Sequence, residues 1–280
     1  MILPPILRLV LRQFLRLVQR VIQPLTDRRA GRTTTLGIVV VLAELEIYCS
    51  RPHAPTRRVA LGESELPCDP APGFGGILLG GVVAHHVGAI DPEMLPDLRH
   101  LTRELEDGRR IAQPRLRHRL QVDTIGLSAS THRLVGEGEV LAFEFDDKGA
   151  PEQQVLGAVY AAGGLDDASR RSVMATLRRA MDWVGPIGAD LIASLSGMRA
   201  GSLLSRTALE NPTAWALDRL GFVGTGASAL VPGSTPPPKE VQRRYREMLR
   251  AVHPDHGANA DDAAQRIAEI TEARRILTGR

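Results

Sequence analysis

Near the C-terminus, residues 239–277 read KEVQRRYREMLRAVHPDHGANADDAAQRIAEITEARRIL. At about 100° per residue, the part that precedes the His-Pro-Asp tripeptide predicts a helix with two opposite stripes. One stripe is apolar and contains Val241, Tyr245, Met248, Leu249 and Val252. The other, called the basic stripe below, contains only cations: Lys239, Arg243, Arg246 and Arg250.

The residues that follow the tripeptide predict a second helix. Asn259 is a suitable N-cap, and Asp261 and Asp262 would lie in the first turn, where the helix dipole favours negative charge. An apolar stripe follows, made of Ala263, Ile267, Ile270, Ala273 and Leu277. We therefore predict an antiparallel helical hairpin in which the two apolar stripes pack together and the His-Pro-Asp tripeptide forms an exposed loop at the tip.

This arrangement resembles the J domain of the DnaJ-type co-chaperones, in which helix II, a His-Pro-Asp loop and helix III follow one another. The tripeptide alone is a weak signal, but its combination with two matching helices is specific. Two features differ from the family. A long Gly/Pro/Ser stretch, 223–238, separates the nearest match to helix I, at 216–222, from helix II, and Arg274 replaces an aromatic residue typical of helix III.

The resemblance implies that the chain binds a DnaK-type chaperone, the seventy-kilodalton heat-shock ATPase, and stimulates its ATP hydrolysis. It implies no enzyme activity and no cofactor for the chain itself. The implied chaperone-binding residues are His253, Pro254 and Asp255, together with Lys239, Arg243, Arg246 and Arg250. The basic stripe would steer the hairpin to an acidic surface, and Asp255 would compete for an arginine of the partner. His253 would hold the loop geometry, and Pro254 would fix its backbone.

Two alternatives to a co-chaperone stay open. One is a structural or scaffold protein whose hairpin does not stimulate the ATPase. The other is an enzyme of unknown type in the region that precedes the hairpin. The sequence does not indicate which client proteins a co-chaperone of this kind would serve.

The charge of the chain is uneven. The formal net charge of the 280 residues is +3, yet residues 1–35 contain seven arginines and one acid. The remainder is therefore slightly acidic, which excludes a chain-wide nucleic-acid-binding surface. Cys49 and Cys68 are too few for a disulfide framework or a repeated Cys-x-x-Cys zinc module. We expect a cytoplasmic protein.

Residues 1–30 predict an amphipathic cationic helix, because Arg8, Arg12, Arg16 and Arg20 recur every four residues among apolar side chains. The arginines interrupt the segment too often for it to span a bilayer. Three interpretations remain. The helix packs on the protein's own sheet, or residues 1–25 lie on an anionic membrane surface with the protein peripheral to it, or the segment is an organellar transit peptide.

Residues 31–211 predict a mixed α/β domain, and residues 212–280 a J-like domain whose helix II, loop and helix III occupy 237–280. The fold class is therefore α+β with a C-terminal all-α J-like helical hairpin. The expected strands are 33–48, 122–127, 140–145 and 155–160, with a loop at 50–72 and a hairpin turn at 146–149. The expected helices are 73–84, 91–111, 167–184 and 187–204.

The Gly-rich segment 73–84 lacks both the Gly-x-Gly-x-x-Gly pattern and the Lys-Ser/Thr pair of a P-loop, so nucleotide binding is not expected. It predicts a helix that packs closely through Gly76 and Gly80, with a short membrane-buried segment as the alternative. A metal site could be drawn from Cys49, His53, Cys68, His85 and His86. Their spacing is loose and no paired ligand motif follows, so no metal is expected.

Overall fold

The computed structural model describes residues 39–51, 54, 57–109, 118–197, 205–222, 236–252 and 260–279. The described chain has a mixed α+β fold, in which a five-stranded sheet and its helices precede a C-terminal helical region. The predicted N-terminal helix lies outside the described residues.

The sheet has the strand order β3-β2-β1-β4-β5, with β2 and β3 parallel and the other pairs antiparallel. Its strands are β1 (Val39–Cys49), β2 (Arg57–Leu61), β3 (His118–Gln121), β4 (Ser128–Glu137) and β5 (Val140–Glu144). Along β1, Ala43, Leu45 and Ile47 are buried and the residues between them are partly exposed. This alternation is typical of a sheet that is covered on one face, and it confirms the predicted first strand over its described part.

Five helices follow or interrupt these strands: α1 (Gly73–Val87), α2 (Leu95–Glu106), α3 (Pro151–Gly163), α4 (Asp167–Met181) and α5 (Ala189–Ser196). Helix α1 is buried between the sheet and helices α3, α4 and α5. A Cβ atom added at Gly76 would lie 2.9 Å from Val173 Cγ2, and one added at Gly80 would lie 3.0 Å from Leu195 Cδ1. The predicted close packing through these two glycines is confirmed.

The helix predicted to start at Asp91 is confirmed, with an earlier end. Asp91 Oδ1 accepts a hydrogen bond of 3.0 Å from the backbone N–H of Glu93, and a 3-10 turn at Pro92–Met94 leads into α2. The helix ends at Glu106 rather than near Ile111, because Gly108 takes a left-handed conformation with φ of 73°.

The strand predicted at 155–160 is wrong, because these residues belong to helix α3. Pro151 occupies the first turn, and the Gln153 side chain accepts a hydrogen bond of 2.9 Å from the Ala150 N–H. Nearly every residue of α3 is buried, so the helix carries no polar face. A short helix that is apolar on all sides has the same sequence pattern as a buried strand.

Three other predictions in the sheet region are wrong: the strand at 122–127, the hairpin turn at 146–149 and the continuous loop at 50–72. Residues 122–127 are a loop between β3 and β4, and the Asp123 side chain accepts a hydrogen bond of 3.2 Å from the Ile125 N–H within it. Residues 146–149 join β5 to α3 and form no hairpin. The hairpin turn lies instead at Gly138, between β4 and β5, where φ is 58°. Strand β2 lies within the segment predicted to be a loop.

The described residues of the C-terminal region form four helices: α6 (Arg206–Glu210), α7 (Pro212–Arg219), α8 (Pro238–Val252) and α9 (Ala260–Thr278). Their buried residues form an apolar cluster distinct from the core of the sheet and its helices. This second cluster begins at Ala208, slightly before the domain boundary predicted at residue 212. The region therefore has a core of its own.

Candidate functional site

Helix α8 positions the basic stripe. The cationic side chains of the stripe are all exposed: Lys239, Arg243, Arg246 and Arg250. On the opposite side of α8, Val241 and Val252 are buried, and Tyr245 and Met248 are partly buried against the same cluster. Leu249, the fifth residue of the predicted apolar stripe, is partly exposed and is not among the residues packed against this cluster. The other residues of the two predicted stripes occupy the two faces on which the sequence places them. A single helix presents four cations to solvent while its other face stabilises the fold.

The basic stripe is not purely cationic, because Arg243 is paired. Its guanidinium donates a hydrogen bond of 3.1 Å to Glu240 Oε2 and another of 3.0 Å to Glu247 Oε1. The hydrogen bond from Arg243 lowers the pKa of Glu240. Lys239, Arg246 and Arg250 form no ion pair with any acid whose side chain the structure describes. The net positive charge is therefore concentrated on these three residues.

Helix α9 holds α8 in place through the second predicted apolar stripe. Ala263, Ile270, Ala273 and Leu277 are buried, and Ile267 is partly buried against the same cluster. All five residues thus occupy the packing positions that the sequence predicts. The apolar stripes of α8 and α9 both contribute to this cluster, which confirms the predicted packing of the two helices.

Helix α7 covers the first part of the segment 216–222, which is compared with the family's helix I. Asn211 Oδ1 accepts a hydrogen bond of 3.0 Å from the Ala214 N–H, which caps the helix, and Gly221 ends it with φ of 68°. Trp215, Leu220 and Phe222 are buried in the C-terminal cluster. The segment 216–222 therefore packs against the hairpin core even though the linker that follows it, 223–235, lies outside the described residues.

Three contacts between these helices involve arginines that the sequence analysis did not assign to a role. Arg219 Nε lies 3.4 Å from Glu269 Oε2, which joins α7 to α9. The guanidinium carbon of Arg244 lies 5.8 Å from the centre of the Phe222 ring. That of Arg274 lies 4.5 Å from the centre of the Tyr245 ring, which joins α9 to α8. Arg274, which replaces an aromatic residue typical of the family, therefore forms a contact between the two hairpin helices.

His253, Pro254 and Asp255 lie outside the described residues. The described helices flank them closely, since α8 ends at Val252 and α9 begins at Ala260. The four cations of the basic stripe therefore belong to the helix that leads directly into the tripeptide. Asn259, the predicted N-cap of the second helix, also lies outside the described residues.

A second polar cluster lies at the C-terminal end of α1. Within it, His132 Nε2 lies 2.8 Å from Gln154 Oε1, and the Asp146 N–H donates a hydrogen bond of 3.3 Å to His132 Nδ1. His85 stacks on Phe145 at a centroid distance of 4.5 Å. His86 Nε2 is buried without a hydrogen-bond partner in the described part of the chain. These contacts fix the neutral tautomer of His132 that carries its proton on Nε2.

The described residues contain no group of three or more His, Cys, Asp or Glu side chains arranged to hold a metal ion. Among the five residues from which the sequence could build a metal site, His53 lies outside the described residues, and Cys49 and Cys68 are buried free thiols. Burial raises the pKa of Cys49 to about 12 and that of Cys68 to about 11. Neither thiol is therefore activated as a nucleophile near neutral pH.

The buried histidines should make the fold sensitive to acid. Burial lowers the pKa of His86 to about 4, helped by the neighbouring His85 and His132, and burial also lowers the pKa of His132. The unfolded chain binds protons at its ordinary histidine pKa of about 6.5, whereas the folded chain does not, so the free energy of unfolding falls as the pH drops below that value. For His86 the loss levels off near its folded pKa and amounts to about 3 kcal/mol.

Urea denaturation at several pH values between about 7.5 and about 5 measures the part of this loss that lies above the range in which carboxylates titrate. The variant His86→Phe should show a shallower loss of stability than the wild type. The control is Val184→Ala, at an exposed aliphatic residue that carries no titratable group, and it should keep the wild-type profile. A His86→Phe profile parallel to that of the wild type would contradict the conclusion that buried His86 makes the fold sensitive to acid.

No helix among the described residues is both long and apolar enough to cross a membrane. Residues 73–84, for which the sequence leaves a membrane-buried segment as the alternative, belong to helix α1, which packs against the sheet and its helices. Comparisons with protein-family models, curated proteins and solved structures found no match to this chain.

Proposed function

We propose that the chain is a J-domain co-chaperone that binds a DnaK-type chaperone and stimulates its ATPase. One observation carries the proposal. The helix that leads into His253-Pro254-Asp255 exposes four cations, while its apolar face packs in a core shared with the helix that follows. This is the arrangement that a partner-binding hairpin requires, because the recognition face remains free while the opposite face provides stability.

The division of roles follows from the charges. Lys239, Arg246 and Arg250 have no acidic partner in the described part of the chain, so their field attracts an acidic surface of the chaperone. Asp255 then competes for an arginine within the partner, and the partner's own catalytic groups hydrolyse ATP. The chain contributes binding energy and induces the chaperone to hydrolyse ATP, but it breaks no bond itself.

Binding of the full-length chain to a purified DnaK-type chaperone tests the proposal directly. We expect reversible binding that weakens as salt is added, because exposed charges separated by more than about 8 Å are screened at physiological ionic strength. Binding without any stimulation of ATP hydrolysis would favour a scaffold protein. The absence of binding at low salt would refute the co-chaperone proposal.

We propose further that the chain acts in the cytoplasm and that residues 1–25 attach it peripherally to anionic membranes. The support is the sequence alone, with four arginines at four-residue spacing and no acid before Asp27. Each cation near an anionic surface contributes about 1 kcal/mol, and partial burial of apolar side chains adds to this.

Flotation with anionic and with neutral liposomes checks the membrane proposal. The full chain should float with anionic liposomes only, and a variant in which Arg8, Arg12, Arg16 and Arg20 are replaced by Gln should stay at the bottom of the gradient. A wild-type chain that remains at the bottom with both lipids would show that this segment has another role, such as packing on the sheet.

A further inference from the structure

Arg274 occupies an unusual place in the hairpin. Its guanidinium lies over the ring of Tyr245 at 4.5 Å, and both side chains are partly exposed. A cation at this distance from an aromatic face is attracted to the ring while its edge can still donate hydrogen bonds outward. An aromatic residue at the same position would fill the space but would carry no charge.

The described acids of α9 close to Arg274 in sequence pair with other arginines. On the same helix, Glu272 accepts a hydrogen bond of 2.6 Å from Arg275, and Glu269 is paired with Arg219. Arg274 itself is in no ion pair found among the described side chains. It therefore adds a net positive charge to the surface where α8 and α9 meet.

The two acids of α8 that lie beside the basic stripe are both on the same side of it. At about 100° per residue, Glu240 and Glu247 lie on one flank of the stripe, where they pair with Arg243. Gln242 lies on the other flank, and Leu249 and then Tyr245 follow it towards the apolar stripe; none of the three is an acid. Because Arg274 stacks on Tyr245, the side chains of α8 that separate Arg246 from Arg274 on this side of the helix are neutral, and none of them is an acid.

We propose that the partner-binding surface spans both helices, with Arg274 as a specificity-determining cation that Tyr245 holds in place. This inference rests on the proposed function and identifies the chemistry of the contact. The acidic surface of the DnaK-type chaperone must extend far enough to meet Arg246 and Arg250 on α8 and Arg274 on α9 together. A partner with acids opposite α8 alone would gain nothing from Arg274.

The test separates the charge of Arg274 from its packing. Arg274→Phe retains a planar group against Tyr245 but removes the charge, and Arg274→Lys retains the charge. Association rates with the purified chaperone are measured by stopped flow from about 25 to about 400 mM salt, the range over which screening becomes strong. Arg274→Gln provides a second neutral variant, and Arg119→Gln, at an exposed arginine of β3, is the remote control.

We expect Arg274→Phe and Arg274→Gln to lower the association rate roughly threefold to tenfold at low salt and to flatten its salt dependence. Arg274→Lys and Arg119→Gln should stay close to the wild type. Thermal unfolding should show that Arg274→Phe is folded, so that the loss is a loss of charge.

Two outcomes would overturn the inference in distinguishable ways. If Arg250→Glu weakens association while both neutral variants of Arg274 keep the wild-type rate and salt dependence, the surface is confined to α8 and the proposed function stands. If the wild-type chain itself does not associate with the chaperone at low salt, the proposed function fails and this inference fails with it.

Discussion

Replacing Asp255 by Asn is expected to reduce the stimulation of the chaperone's ATPase by roughly tenfold or more, with no loss of helical content. The substitution keeps the size of the side chain and removes its charge. A hydrogen bond to a charged group contributes about 1.5–3 kcal/mol, which corresponds to roughly a tenfold change or more. The neighbouring helices α8 and α9 are held by the buried residues of their own cluster.

Single-turnover hydrolysis of ATP by the chaperone measures this effect, and circular dichroism checks the fold. The matched control is Asp218→Asn, which removes an exposed carboxylate from α7 and should leave the stimulation unchanged. Equal stimulation by the wild type and Asp255→Asn would mean that the tripeptide has no role in the reaction.

Reversing the charge of Arg246 or Arg250 is expected to weaken chaperone binding by roughly tenfold to thirtyfold at low salt. Each reversal removes an attraction and introduces a repulsion of similar size. Neither residue has a described acidic partner within the chain, so the whole change is felt at the interface.

The control for net charge is Arg119→Glu, an identical reversal at an exposed position on β3, outside the helical hairpin. Binding measured over a salt series should converge for all variants at high salt, because the exposed charges are then screened. Binding by the wild type that is flat across the series would contradict a charged interface.

The hairpin is the part of the fold that the sequence predicts best. In α8 and α9 one face is apolar and the other polar, so the helical period is visible in the order of residues. Each residue of the basic stripe is exposed, and Val241, Val252, Ala263 and Ile270 are buried as expected. Amphipathic helices can be predicted because solvent and core select different residues on opposite faces.

The buried helix α3 and the sheet are predicted less well. Helix α3 is surrounded by other elements, so its sequence lacks a polar face and resembles a strand. Strand β2 is only five residues long and lies in a polar segment, where pairing with β1 and β3 stabilises it. Such partners are distant in sequence, and single-sequence periodicity cannot reveal them.

The candidate site, too, could be predicted from the sequence only in part. The exposure of the basic stripe follows from periodicity, but the pairing of Arg243 with two acids depends on side-chain conformations. The stacking of Arg274 on Tyr245 depends on the packing of α9 against α8. In the sequence, Arg274 was visible only as a difference from the family, and its contact required the structure.

Single-turnover hydrolysis with increasing amounts of the full-length chain tests most directly whether this hairpin drives a chaperone ATPase. A purified DnaK-type chaperone loaded with ATP is mixed with the wild-type chain or with His253→Gln. If the hairpin drives the ATPase, the hydrolysis rate rises to a plateau with the wild type and stays at its basal value with His253→Gln. A basal rate that the wild-type chain leaves unchanged at every concentration would contradict the co-chaperone proposal.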